Sequence, residues 1–312
     1  MDAFAGLLDG PRAQGVFALR TIMSPPWSIR IEDRAPLTLV AIVRGEAWLV
    51  PARGDPTRLG EGDVAIVRGP DHYGFADAPT TAPQAIIHAG QRCTTPEGVD
   101  LHEAMHLGVR SWGNDPDGSS MMLVGTYESS NDVSKRLLAA LPPVAILRSA
   151  DWTSPFVPVL ADELANDQPG QGAVVDRLVD LLLVAALRAW FARPDADPPA
   201  WYAAQRDPVV GKAMGVLQHN PAEPWTVASL AAEVGVSRAT LARRFTELVG
   251  EPPMSFLTGW RLTLAADLLR ERGSTIAAVA DRVGYGSPYA LSIAFKRAYG
   301  VSPKAHRLAA NG

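Results

Sequence analysis

The sequence predicts an α+β protein, with an N-terminal antiparallel β-barrel carrying added helices and a C-terminal all-α part holding two helix-turn-helix units. Three patterns predict it. Residues 15–90 run in short β-branched stretches broken by Gly, Pro and Asp. From Lys135 onward apolar residues recur at helical spacing. An apolar helix, a glycine and a serine-capped second helix then occur twice, about fifty residues apart.

In the barrel part, W-S-I-R-I-E-D, L-T-L-V-A-I-V, E-A-W-L-V, V-A-I-V and A-I-I-H have the length and composition of strands. Turns are expected at Arg44-Gly45, at Arg53 to Pro56 and at Glu61-Gly62-Asp63. Strands so short and evenly spaced fit a small barrel or jelly roll. The phrase R-L-G-E-G-D-V-A-I-V-R-G-P-D-H-Y resembles the cupin pattern, with Gly62 and Asp63 in the tight turn before a strand. Metal-binding cupins carry two histidines and a carboxylate before the first turn and a further histidine after the second. This chain has Ile31, Glu32, Asp33 and Arg34 where the histidines would stand, Thr38 near the carboxylate position, and only His72, beside Tyr73, after Gly62. The resemblance therefore implies a barrel without the metal, whose interior holds a small molecule or is filled by side chains. His72 and Tyr73 are the candidate effector contacts.

Farther along, Val133, Leu137, Leu138 and Leu141 read as a short helix stopped by Pro142-Pro143, followed by helices over Phe156–Leu164 and Gly172–Ala192. The long apolar run Val174–Phe191 is interrupted by Arg177, Asp180 and Arg188. Each such charge costs ~2.5–3.5 kcal/mol at a bilayer centre, so no membrane span is expected. Val175, Leu178, Leu182, Ala185, Ala186 and Leu187 make a wider apolar face than one small sheet needs, which predicts a subunit contact. The Pro/Asp-rich run from Arg193 to Ala200 reads as a linker.

The first helix-turn-helix spans V-A-S-L-A-A-E-V-G-V-S-R-A-T-L-A-R-R, Val227 to Arg244. Val227, Leu230, Ala231 and Val234 form a bracing helix, Gly235 breaks it, and Ser237 opens a second helix with Leu241 and Phe245 inward and Arg238, Arg243 and Arg244 free. The second unit repeats this with Ile276, Val279, Ala280 and Val283, then Gly284, then Ser287 as N-cap and Pro288 at the first helical position. Between them Phe256, Trp260, Leu264 and Leu268 mark a connecting helix over Ser255–Arg270. At roughly 22 Å long, it can set two recognition helices about one DNA turn, ~34 Å, apart. Leu230, Leu241, Phe245, Trp260, Ile276 and Phe295 are expected core.

This order, closed by A-Y-G-V-S-P-K-A-H-R, resembles the C-terminal DNA-binding domain of AraC-type transcriptional regulators over residues 205–308. Such regulators often carry a cupin-like sensor in front, and L-V-G-T-Y…L-L-A-A-L-P-P-V-A-I-L resembles its second half in one subgroup. The resemblance implies an effector-sensing and dimerising domain (1–192), a linker (193–204) and a DNA-binding domain (205–312). It places Ala239, Ala242 and Arg243 on bases, flanked by Ser237, Arg238, Thr240 and Arg244. We expect Arg243 to read bases and Arg238 and Arg244 to meet phosphates. In the second unit Ile293 replaces an arginine common in the family after Ser292. That leaves Ser287, Pro288, Tyr289 and Ser292 as contacts, with Lys296 and Arg297 towards the backbone, and the first unit is expected to dominate specificity. The partners implied are double-stranded DNA, RNA polymerase, a small-molecule effector and a second copy of the chain.

Charge agrees with this division. From Gln205 onward there are 13 Lys/Arg and 8 Asp/Glu, against 16 and 25 before it, so the net charge of −4 splits into +5 and −9. Cys93 is the only cysteine, which excludes an internal disulfide. The start shows no basic leader followed by an apolar core, and a cytoplasmic location is expected. His102, Glu103 and His106 spell the zincin pattern, but Gly98 and Gly108 bracket a non-helical stretch and no third ligand is evident. No catalytic residue, metal or cofactor is therefore expected. The rival readings are a ligand-independent DNA-binding regulator with a collapsed barrel and a metal-dependent cupin-type enzyme.

Overall fold

The computed structural model describes residues 16–127, 138–196, 198–270 and 273–310. Most of the helix expected over 133–141 lies outside them. The chain divides after Ala196 into two compact units.

The first unit is two facing sheets. Its strands are β1 (Phe17–Met23), β2 (Ser28–Glu32), β3 (Leu37–Arg44), β4 (Glu46–Pro51), β5 (Thr57–Gly60), β6 (Val64–Arg68) and β7 (Tyr73–Ala76). They continue with β8 (Ala85–His88), β9 (Cys93–Thr94), β10 (His106–Gly108), β11 (Ser111–Gly113), β12 (Ser120–Tyr127) and β13 (Val144–Leu147). One sheet has the order β10-β11-β1-β12-β3-β6-β13 and the other β5-β4-β7-β2-β8-β9. The expected antiparallel barrel is thus a two-sheet, jelly-roll-like domain. It is not wholly antiparallel, since β1 pairs β11 and β2 pairs β8 in parallel. Alternation sends Ala47 and Leu49 inward from β4 to join Val40, Ile42, Phe75 and Met122 in a core shared by both sheets.

Helices α1 (Phe156–Ala165) and α2 (Gln171–Ala192) cover the outside of the seven-stranded sheet. Gly125 lets α2 come close, because a Cβ there would lie 2.8 Å from Val179. The apolar width of α2 is used within the chain, where Val175, Leu178, Leu182, Ala186 and Leu187 are buried along with Leu160 and Leu164 of α1. That width is therefore no argument for a subunit contact; the large apolar residues that α2 leaves exposed are Val174 and Leu181, on a surface shared with Arg177 and Arg188. No helix among the described residues is long and apolar enough to cross a membrane.

Asp63 fastens the β5–β6 turn. Its buried carboxylate accepts from the N–H groups of Gly60 (3.1 Å) and Ser149 (2.8 Å) and from Arg148 Nη1 (2.7 Å). Burial pushes its pKa up, but the bonds from Ser149, Gly60 and Arg148 outweigh that and hold it below the usual value. A folded-state pKa below the unfolded one gives stability that is present above the unfolded value and lost as pH falls through the folded one. Asp63→Asn is expected to cost about 1.5–3 kcal/mol at neutral pH. In pH-resolved melting the gap to the parent protein should narrow in acid.

The second unit is helical: α3 (Ala200–Ala204), α4 (Val210–His219), α5 (Val227–Val234), α6 (Arg238–Val249), α7 (Pro253–Leu268), α8 (Ile276–Val283), α9 (Pro288–Tyr299) and α10 (Pro303–Ala310). Residues 200–204, expected as linker, form α3, and Ala204 is buried in this unit's first core with Leu217, Leu230, Leu241, Phe245 and Phe256. The second core holds Leu262, Leu269, Val279, Val283, Leu291 and Phe295, with Ile276 half-buried against it. Helix α7 gives Phe256 and Leu257 to the first core and Leu262, Ala265 and Ala266 to the second. One helix of 16 residues, ~24 Å long, thus links the two motifs.

Candidate nucleic-acid interface and effector cavity

Each motif is set by short-range chemistry. Thr226 and Ser229 form a reciprocal capping box at the start of α5, which ends at Gly235 in the left-handed region (φ +79°). Ser237 caps α6 by accepting from the Thr240 N–H at 3.2 Å. In the second motif Thr275 caps α8, Gly284 ends it (φ +80°), and Ser287 accepts from the Ala290 N–H at 3.1 Å to cap α9.

With Leu241 and Phe245 buried, α6 turns Ala239, Arg243 and Thr246 to solvent, with Ala242 half-buried between them. With Leu291 and Phe295 buried, α9 likewise presents Tyr289, Ile293 and Lys296, with Ser292 half-buried. Superposing Ser237 on Ser287 brings these two sets into register, so the motifs offer equivalent faces of different chemistry. Tyr289 is 75% and Ile293 54% exposed, unusual for large apolar groups. Arg238 is exposed at the start of α6 and Pro288 at the start of α9.

Two arginines differ from expectation or add to it. Arg243 Nη1 donates to both carboxylate oxygens of Glu247 at 3.0 Å, a partner one turn on that the sequence reading missed although its i,i+4 spacing was visible. Arg244, expected on a phosphate, turns the other way. Its Nε donates to Asp207 Oδ2 at 2.8 Å, while Oδ1 of the same carboxylate accepts from the N–H groups of Val209 (3.0 Å) and Val210 (2.9 Å) at the start of α4. Arg244 is therefore a clamp between α6 and α4. Arg244→Ala is expected to lower the melting temperature and leave the salt dependence of DNA binding intact, whereas loss of a phosphate contact would reduce the salt slope by about one.

Between the two sheets lies a cavity of about 480 Å³. Tyr73 lines it, whereas His72, the neighbouring candidate, is exposed and not part of its wall. His102 and His106 stand at its edge, on a turn and on β10, with ring centroids 6.3 Å apart. They do not share a helical face as a zincin requires, and Glu103 lies against His102 at 3.4 Å. Among the described residues no three His, Cys, Asp or Glu side chains are grouped to hold a metal, so the donor set of a metal-binding cupin does not fit here. Cys93 also lines the cavity, and burial, followed by the charge of Asp100, pushes its thiol up to about 11. A thiol so rarely ionised is a poor redox sensor. Alkylation of Cys93 by iodoacetamide is expected to rise about tenfold per pH unit from pH 7 to 10 without levelling, where an ordinary thiol levels near ~8.5.

Two helix-turn-helix motifs on one shared helix, preceded by a β domain with an internal cavity, define a DNA-binding transcription regulator. The chain matches the family described as Cupin over residues 2–192 and the Helix-turn-helix domain family over residues 230–309. It is 30% identical to a Streptomyces lividans protein named as an AraC-like transcription regulator, over 98% of both chains. It is 28% identical to the HTH-type transcriptional regulator AlkR of Acinetobacter baylyi, over 98% of this chain and 99% of that one. The solved DNA-binding domain of AdpA in complex with a target DNA is 38% identical, covering 33% of this chain and 92% of its own, with a TM-score of 0.31. The chain belongs to the AraC family of transcription regulators, with an N-terminal cupin domain. Its relatives are regulators and not enzymes.

Proposed function

We propose that the protein is a small-molecule-gated, sequence-specific regulator, working as a homodimer in the cytoplasm and acting on RNA polymerase from its DNA site. The carrying observation is the pair of equivalent, unburied faces on α6 and α9, in two motifs whose cores share the one helix α7. In this reading Ala239, Ala242 and Arg243 face bases, Ser237 and Arg238 meet phosphates, and Thr240 supports the cap. Tyr289 and Ser292 face bases in the second half-site, with Ser287 and Pro288 at the groove edge and Lys296 towards the backbone. Residues up to 192 carry sensing and dimerisation, and the DNA-binding part includes α3. The effector occupies the cavity, with Tyr73 in its wall, and shifts the population of DNA-competent arrangements. A cavity of this volume favours a sensor over a collapsed barrel.

The test is selection of genomic fragments by the full-length protein at ~0.15 M salt, where non-specific binding is weak. Enrichment of a bipartite site with halves about one turn apart is the expected result. No enrichment at any salt concentration, either by the full-length protein or by residues 198–312 freed of any gating, would overturn the reading.

A further inference from the structure

The walls of the cavity are unevenly charged. Its polar end is set by register: Ile31 pairs with Tyr73 across β2 and β7, and Thr38 pairs with Thr126 across β3 and β12. The Thr38 hydroxyl bonds the Tyr73 phenol, and Asp33, two residues beyond Ile31, is close enough for its charge to act on that phenol. Asp33 accepts from the Ala35 N–H at 3.0 Å and, among the described residues, makes no salt bridge. Among the described residues, Arg110 is the one Lys or Arg in the wall. It is engaged elsewhere: its Nη1 donates to the Ala18 carbonyl at 3.1 Å, and its charge acts on Asp176 of α2. Phe17, Tyr73, Phe75 and Trp112 bring four aromatic rings to the same space.

A carboxylate with no cationic partner among the described residues, lining a cavity with four aromatic rings, is complementary to an ammonium group. The carboxylate supplies the counter-charge and the ring faces add cation–π attraction, worth more once water is excluded. We propose that the cavity takes a protonated organic amine with an apolar body, its nitrogen at the Asp33–Tyr73 end. At ~30 Å³ per water-sized group, the space of about 480 Å³ holds up to about 16 non-hydrogen atoms. This rests on the sensor reading of the cavity and names its ligand class.

The test is calorimetric titration of the full-length protein at neutral pH with phenylbutylamine, phenylbutanol and phenylbutyrate, which share a body and differ in head group. The amine is expected to bind at least tenfold more tightly than the alcohol, and the acid most weakly. Asp33→Asn should bring the amine down to the alcohol, while Asp33→Glu, which keeps the charge, retains the preference; melting curves establish that both variants are folded. Alcohol or acid binding as tightly as the amine would overturn the amine assignment and leave the sensor reading standing. Failure of all three to bind would remove both.

Discussion

Arg243→Ala is expected to weaken binding to the preferred DNA site by about ten- to a hundredfold and to relax base preference in one half-site only, on the ~1–3 kcal/mol that a two-bond arginine–guanine contact supplies. Its guanidinium is the cationic group on the outward face of α6 that it shares with Ala239 and Ala242, whose small side chains let the backbone approach the base edges. The ion pair with Glu247 is exposed, so releasing it on DNA binding costs only ~0.3–0.5 kcal/mol. Tyr289→Ala, in the equivalent face of α9, should cost less. Tyr289 and Ile293 offer apolar surface for a thymine methyl but no two-bond pairing. Selection and sequencing with each variant at one salt concentration decides the ranking. An unchanged preferred sequence for Arg243→Ala, with a scrambled one for Tyr289→Ala, would reverse it.

What could be read from the sequence was what local chemistry controls. Helix caps, left-handed glycines and the 3.6-residue apolar spacing of α5 to α9 all act within one turn, and their positions agree with the structure to within two or three residues. Strands β3, β4 and β6 were legible for the same reason. Strand β1 was not: F-A-L-R-T-I-M lacks regular alternation, because its end is buried on both faces beneath helices and against the opposite sheet. Its parallel pairing with β11, some ninety residues away, leaves no periodic trace. Arg244 shows the same limit at the candidate site. In sequence it is one more arginine on a recognition helix, and only the fold brings Asp207, 37 positions earlier, to its guanidinium. His72 and Tyr73 illustrate it on a smaller scale, since adjacent residues entering a strand point to opposite sides and only one can face the cavity.

Gly284→Ala should be far more damaging than Gly235→Ala, although the two glycines end equivalent helices with the same backbone conformation, φ +80° and +79°. The left-handed strain of an alanine, ~1–2 kcal/mol, is common to both and cancels in the comparison. Around Gly235 a Cβ would meet nothing within 4 Å, whereas at Gly284 it would lie 2.6 Å from Ala222 Cα and 2.7 Å from the Ala222 carbonyl oxygen. That backbone cannot yield easily, because Arg261 of α7 grips both its flanks, donating to the carbonyls of Pro221 (2.6 Å) and Glu223 (2.7 Å). The turn of the second motif thus rests on the loop that leads into the first, and α7 ties the same loop down. Gly284→Ala is expected to cost more than ~3 kcal/mol, lowering the melting temperature of the helical unit by more than about 10 °C. Gly235→Ala should cost about a third of that. Because the Ala222 contact joins the two motifs, any Gly284→Ala protein that folds should also lose preference for a fixed spacing between half-sites, while Gly235→Ala keeps it. Binding to operators with half-site spacing varied by single base pairs measures this directly. An unchanged spacing preference in a folded Gly284→Ala protein would mean that α7 alone sets the separation of the recognition helices.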